Sequence, residues 1–123
     1  MRLYGIRGAT TVSADDKEEI LGRTEELLRA VFEANRIEEE NVVSIIFTTT
    51  PDLTAEFPAK ACRLMGWNRA ALLGAVEAAV PHGLQMCIRV LVHVYLKKGR
   101  RVQHIYLHEA VGLRPDLVKE TFS

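Results

Sequence analysis

The run QMCIRVLVHVY, residues 85–95, can be little other than a β-strand with one face buried. Side chains on a strand alternate between faces. Met86, Ile88, Val90, Val92 and Val94 therefore form a purely aliphatic face, predicted to pack against helices. Cys87, Arg89, Leu91, His93 and Tyr95 form the other, which suits neither solvent nor core. Arg89 sits near the middle of the run, and a cation among apolar neighbours is costly unless something pairs with it. A small sheet whose second face is half apolar predicts oligomerisation through that face. Arg89 would then point into a pocket at or near a subunit interface.

The remaining segments fit around that strand. RLYGIRGATTV (2–12) reads as a strand in which Gly5 and Gly8 mark a bulge or a close backbone approach. Residues 13–36 form the clearest helix, capped by Ser13 or Asp15 and stopped near Asn35. Its apolar stripe is Ile20, Leu21, Leu27, Leu28, Val31 and Phe32. A strand at 41–50 ends at Pro51, and a short helix at 57–67 has Pro58 in its first turn and Gly66 at its end. Residues 69–78 are read as a strand despite their alanines, and the central strand as 83–96. KKGRR (97–101) is a turn, after which 102–111 is expected to pair back as a hairpin, leaving 112–123 as turn and tail. The order β-α-β-α-β-β-β predicts an α+β fold, a mixed sheet of about five strands packed on two helices. Nothing in 1–123 resembles a linker or repeat, so one domain is expected.

Sixteen basic residues balance sixteen acidic ones, which gives no support for a nucleic-acid or anionic-membrane partner. No apolar run approaches the roughly 18 residues of a membrane span, and the first residues carry no signal-peptide pattern. Cys62 and Cys87 lack a partner motif and are expected to be free, buried thiols in a cytoplasmic protein.

The sequence has no nucleophile elbow, P-loop or dinucleotide fingerprint. His104 and His108 have the spacing of a helical metal pair, but on a strand they would stand roughly 13 Å apart, so no metal is expected. What stands out is Arg7, Glu77, Arg89 and Tyr106, polar residues in strand-like segments. Any one of them could belong to a structural ion pair. Four on separate strands, with Lys60 and Arg63 adding positive charge from the short helix, suit a pocket for a small carboxylate ligand.

Several blocks, in order, carry a resemblance. They are IRGATTV (6–12), TPDLTAEFPAKACR (50–63), GW (66–67), Glu77, CIRV (87–90), HIYL (104–107) and LRPDL (113–117). Together they resemble the trimeric α/β class of monofunctional chorismate mutases along nearly the whole chain. The resemblance implies a homotrimeric pseudo α/β-barrel with active sites between subunits, chorismate as substrate and no cofactor. It implies Arg7, Glu77, Arg89 and Tyr106 as the central catalytic residues. Phe57, Lys60, Arg63, Leu113 and Arg114 correspond to lining and entrance positions. Leu73-Gly74 stands where the family's prototype has a polar Thr-Cys pair, so contacts made there by side chains must be lost, replaced by backbone or taken over by Glu77. Two other functions suit the same arginines: a non-catalytic trimeric binding module for a small dicarboxylate, and an imine or enamine hydrolase of a related small-trimer fold.

Overall fold

The central strand, β4 (Cys87–Leu96), has a partner on each side in the computed structural model, which describes residues 1–113. β1 (Arg2–Thr11) runs antiparallel to it from Arg2↔Leu96 to Thr11↔Cys87. β2 (Val42–Thr49) runs antiparallel on the other side, with a bulge between Val42 and Ser44. β3 (Ala71–Val76) lies parallel to β2 at one edge, and β5 (Ile105–Tyr106) parallel to β1 at the other. The sheet is thus mixed, in the order β3-β2-β4-β1-β5. α1 (Lys17–Ala34) and α2 (Ala59–Leu64) complete the α+β architecture.

The alternation expected of β4 holds. Ile88, Val90, Val92 and Val94 are buried. The three valines, with Ile6, Ile45 and Phe47, pack with Leu27, Leu28 and Val31 of α1, and Ile88 packs with Ile20 of the same helix, Val12 and Leu53. Gly8 is where the helix comes closest. A Cβ there would lie 2.9 Å from Val90 Cγ2 and 3.1 Å from both Leu27 and Val31. The close approach predicted at this glycine is therefore real, while the bulge belongs to β2.

Three local expectations are corrected. The N-cap of α1 is Asp16, whose side chain accepts from Glu19 N–H at 3.0 Å. Ser13 donates instead to the Glu19 carboxylate, and Asp15 accepts from Thr54 and Ala55 across the molecule. Leu21 is only partly buried; Thr24 takes a place in the buried stripe, its hydroxyl satisfied by Ile20 C=O at 2.7 Å. The largest correction is the hairpin at 102–111. Both edges of β4 are occupied by β1 and β2, so the chain after the 97–101 turn crosses to the free edge of β1. Only two residues pair there, and His108–Gly112 form a 3-10 turn. Asn35, the C-cap of α1, guides this crossing: its buried amide binds both the N–H and the C=O of Gln103.

The short helix is Ala59–Leu64, with Pro58 as N-cap and Gly66 ending it at φ +85°. β4 begins at Cys87 rather than at 83. No helix among the described residues is long and apolar enough to cross a membrane. Arg114 and the tail lie outside the described residues.

Candidate active site

The strand registers place a row of residues across the face of the sheet away from the helices. Ala75, Thr48, Arg89, Ala9 and Tyr106 stand opposite one another on β3, β2, β4, β1 and β5. Ala9 is the small member between Arg89 and Tyr106, and its size keeps the space between them open. Arg7 stands two residues along β1 on the same face. Arg7, Arg89, Tyr106, Thr48, Ile46 and Leu91 line a cleft of about 290 Å³. That volume is at the lower limit for a small-molecule site, and one chain encloses it only in part.

Glu77 lies just beyond β3, where its N–H donates to Thr49 C=O at 2.9 Å. Its Oε2 stands 3.0 Å from Arg89 Nε and accepts from Thr48 Oγ1 at 2.7 Å. The Arg89 contact is ionic rather than a well-aligned hydrogen bond: Nε is buried and its N–H has no acceptor in line among the described residues. The Arg89 side chain is 43% exposed and that of Glu77 18%. The cation is therefore anchored at its inner end while the guanidinium tip reaches the cleft. Behind it, burial raises the Cys87 thiol to about 11, against the opposing pull of the Arg89 charge. Cys87 is thus a neutral packing group, grouped with Ala9, Ala110, Tyr106 and Leu113. Burial likewise raises Cys62 to about 11.

The remaining expected positions divide. Leu73 shares the Arg89 face but is 62% exposed. Leu113, like Tyr106, packs against the buried group of Ala9, Cys87 and Ala110. Phe57, Arg63 and Gly74 line a second cavity with Trp67 and Leu72, on the α2 side of the sheet. Lys60 is held by Glu56 at 3.0 Å. Gly74 faces α2 because it pairs with Phe47, whose side chain is in the core, whereas Leu73 pairs with Ile46. The sheet itself thus separates Phe57 and Arg63 from Arg7, Arg89 and Tyr106 within one chain. Phe57 is 74% exposed beside that second cavity.

Two residues of the arrangement went unsuspected. Thr48 orients Glu77, and strand alternation read against Phe47 would have put it on the open face. His104 accepts the Arg7 backbone N–H on Nδ1 at 2.9 Å, tying β1 to the segment before β5. His108 pairs instead with Glu26 at 2.8 Å, so the two histidines of the HIYLH run have different partners.

A family model described as chorismate mutase type I matches residues 3–117. The chain is 45% identical over 119 residues to chorismate mutase AroH of Bacillus subtilis, covering 95% of this chain and 94% of that one. It is 50% identical over 115 residues to chorismate mutase AroH of Thermus thermophilus, covering 92% and 94%. Among solved structures, a chorismate mutase from Clostridium thermocellum superposes with a TM-score of 0.84 at 47% identity, over 87% of this chain and 96% of that one.

Proposed function

This chain belongs to the chorismate mutase type I family, and from that premise we propose how its cleft carries the reaction. The protein is a chorismate mutase, an isomerase of aromatic amino acid biosynthesis that converts chorismate to prephenate. The binding-module and imine-hydrolase readings find no support among its relatives.

The rearrangement breaks one C–O bond as it forms one C–C bond within a single molecule. It needs no nucleophile, proton shuttle, metal or coenzyme. It needs the enolpyruvyl side chain held over the ring, an entropic task. It also needs a fixed positive charge where the ether oxygen gains electron density. Arg89 is that cation. Its anchorage by Glu77 is the single observation that carries the assignment, because an anchored charge requires no reorganisation as the bond stretches. Arg7 and Tyr106, lining the same cleft, grip a substrate carboxylate. Glu77 Oε2 is taken by Thr48 and Arg89, and Oε1 accepts from the ring hydroxyl. Leu73 and Gly74 offer no polar side chain, so that hydroxyl rests on Glu77 and on backbone groups.

The catalytic unit in this reading is a homotrimer of single 1–123 domains in a pseudo α/β-barrel. Its active sites join the Arg89 cleft of one subunit to Phe57, Lys60 and Arg63 of the next, with Leu113 at the entrance. What supports this is the separation of the two residue sets by the sheet, together with the exposed apolar residues Phe57, Leu73 and Val76 along the β3 side. Two free buried thiols fit a cytoplasmic enzyme. The test is the loss of chorismate ultraviolet absorbance with stoichiometric prephenate and no added cofactor. Chorismate turnover at the uncatalysed rate would refute the assignment.

A further inference from the structure

Met86 delivers the chain into β4 with a left-handed backbone, φ +52°, a conformation unfavourable for any residue with a Cβ. Something must hold it there, and the contacts converge on Asp52 and Thr50. Asp52 Oδ2 accepts the Met86 N–H at 3.0 Å. The other carboxylate oxygen accepts the Thr50 hydroxyl proton. Thr50 Oγ1 in turn accepts the Cys87 N–H at 2.9 Å, and the Thr50 N–H donates to Cys87 C=O at 3.0 Å. From the other side, the Val12 N–H donates to Met86 C=O at 2.9 Å. Asp52 is thus the one charged side chain in these contacts at the mouth of β4.

Arg89 is the third residue of that strand. Strand ends open first, and the rungs nearest this end are Thr11↔Cys87 and Thr49↔Ile88. Thr48, whose hydroxyl orients Glu77, is two residues before Thr50 on the same chain. One short run, Thr48 to Asp52, therefore fixes both members of the Arg89–Glu77 pair, one by its acceptor and the other by its strand.

We propose that Asp52 is a positioning residue for Arg89, holding Met86 left-handed so that β4 enters the sheet with Arg89 aimed at the cleft. The proposal rests on the assignment of Arg89 as the cation of the site. Asp52 touches no substrate in it, and its effect passes through the backbone of Met86 and Cys87.

The experiment uses the full-length enzyme with chorismate as substrate and compares Asp52→Ala, Met86→Gly, their double variant and Arg89→Ala. Asp52→Ala should lower kcat about ten- to a hundredfold, as expected for a misplaced catalytic group, with KM within about twofold of wild type. Glycine adopts φ +52° without a steric penalty, so Met86→Gly in the Asp52→Ala background should restore most of the lost kcat. A merely structural role for Asp52 would lower thermal stability and leave kcat per folded enzyme intact, and that result would overturn the proposal. So would a loss of kcat that Met86→Gly does not restore. If Asp52→Ala yields no folded protein, Asp52→Asn keeps the shape without the charge, and the same two readouts decide the matter. Arg89→Ala separates this proposal from its premise. If it retains activity, the site assignment fails. If it is inactive while Asp52→Ala keeps full kcat, only the role of Asp52 fails.

Discussion

Arg89 and Glu77 meet at 3.0 Å although their strands are not neighbours: β2 runs between β3 and β4, and the pair closes over Thr48. The arginine is nearly half exposed, and ion pairs so placed contribute little to folding, about 0–1 kcal/mol. Their use here is orientation. The carboxylate is itself held by the Thr48 hydroxyl, so the order of dependence is Thr48, then Glu77, then Arg89.

Thr48→Val keeps the shape of the side chain and removes that hydrogen bond. Loss of a bond to a charged acceptor should lower kcat about tenfold, with thermal stability nearly unchanged. Steady-state kinetics beside a melting curve on the same preparation checks both. Unaltered kcat would mean that Glu77 needs no orienting partner.

Gly8→Ala tests the packing beneath the site. The new Cβ meets Val90, Leu27 and Val31, all in the core and unable to swing into solvent. Overpacking of this kind should cost about 1–3 kcal/mol. Denaturant titration should show a lower midpoint, and a neutral result would mean that α1 can move away from β1.

The pH dependence of folding has two limbs. Hydrogen bonds from Thr54 and Ala55 hold the Asp15 carboxyl below its ordinary 3.8, and those from Ser13 hold Glu19 below 4.5. Both groups bind protons more tightly unfolded. Their stabilisation is complete above those ordinary values and is lost as pH falls through the lowered native ones. Cys62 and Cys87 show the reverse sign. Native thiols near 11 against an ordinary 9.0 mean that the unfolded chain ionises first, so stability is complete below pH 9 and declines as pH rises toward 11. Thermal unfolding across these ranges should give a shallower acid limb in Asp15→Asn and a shallower alkaline limb in Cys62→Ala.

Much of this was legible in the chain. Period-two alternation in 85–95 assigned both faces of β4 correctly, because one face is aliphatic without exception. The helices and the order of elements followed from their own periodicity. The path of 102–111 did not, since a hairpin is the local default and only the occupancy of both β4 edges forbids it. Within four positions the chain offers three residues able to cap α1, Ser13, Asp15 and Asp16; Ser13 is taken by the Glu19 carboxylate of the first turn and Asp15 by Thr54 across the molecule, which leaves Asp16 as the cap. At the site, Arg7, Arg89 and Tyr106 were identifiable as polar residues in apolar strands. Thr48 and Asp52 were not, because a threonine on a strand and an aspartate after a proline are unremarkable until their partners are seen.

The proposed division of the site between subunits predicts complementation. Arg89→Ala removes one side, and Arg63→Ala combined with Phe57→Ala removes the other. Both should be inactive alone. After mixing at equal concentration and subunit exchange, each half of a composite site is intact with even odds, so about a quarter of wild-type sites should return. No recovery after verified exchange would place both halves in one chain.

The most direct measurement compares Arg89→Lys with wild type for kcat/KM and for affinity toward a transition-state analogue, on folded enzyme of unchanged assembly. Lysine keeps the charge but not the planar fork, nor the Nε that lies against Glu77. Both quantities should fall together, by about a hundredfold or more, while KM for chorismate changes little. A fully active Arg89→Lys enzyme that binds the analogue as tightly as wild type would show that Arg89 is only a charge in a sheet, and would contradict the account.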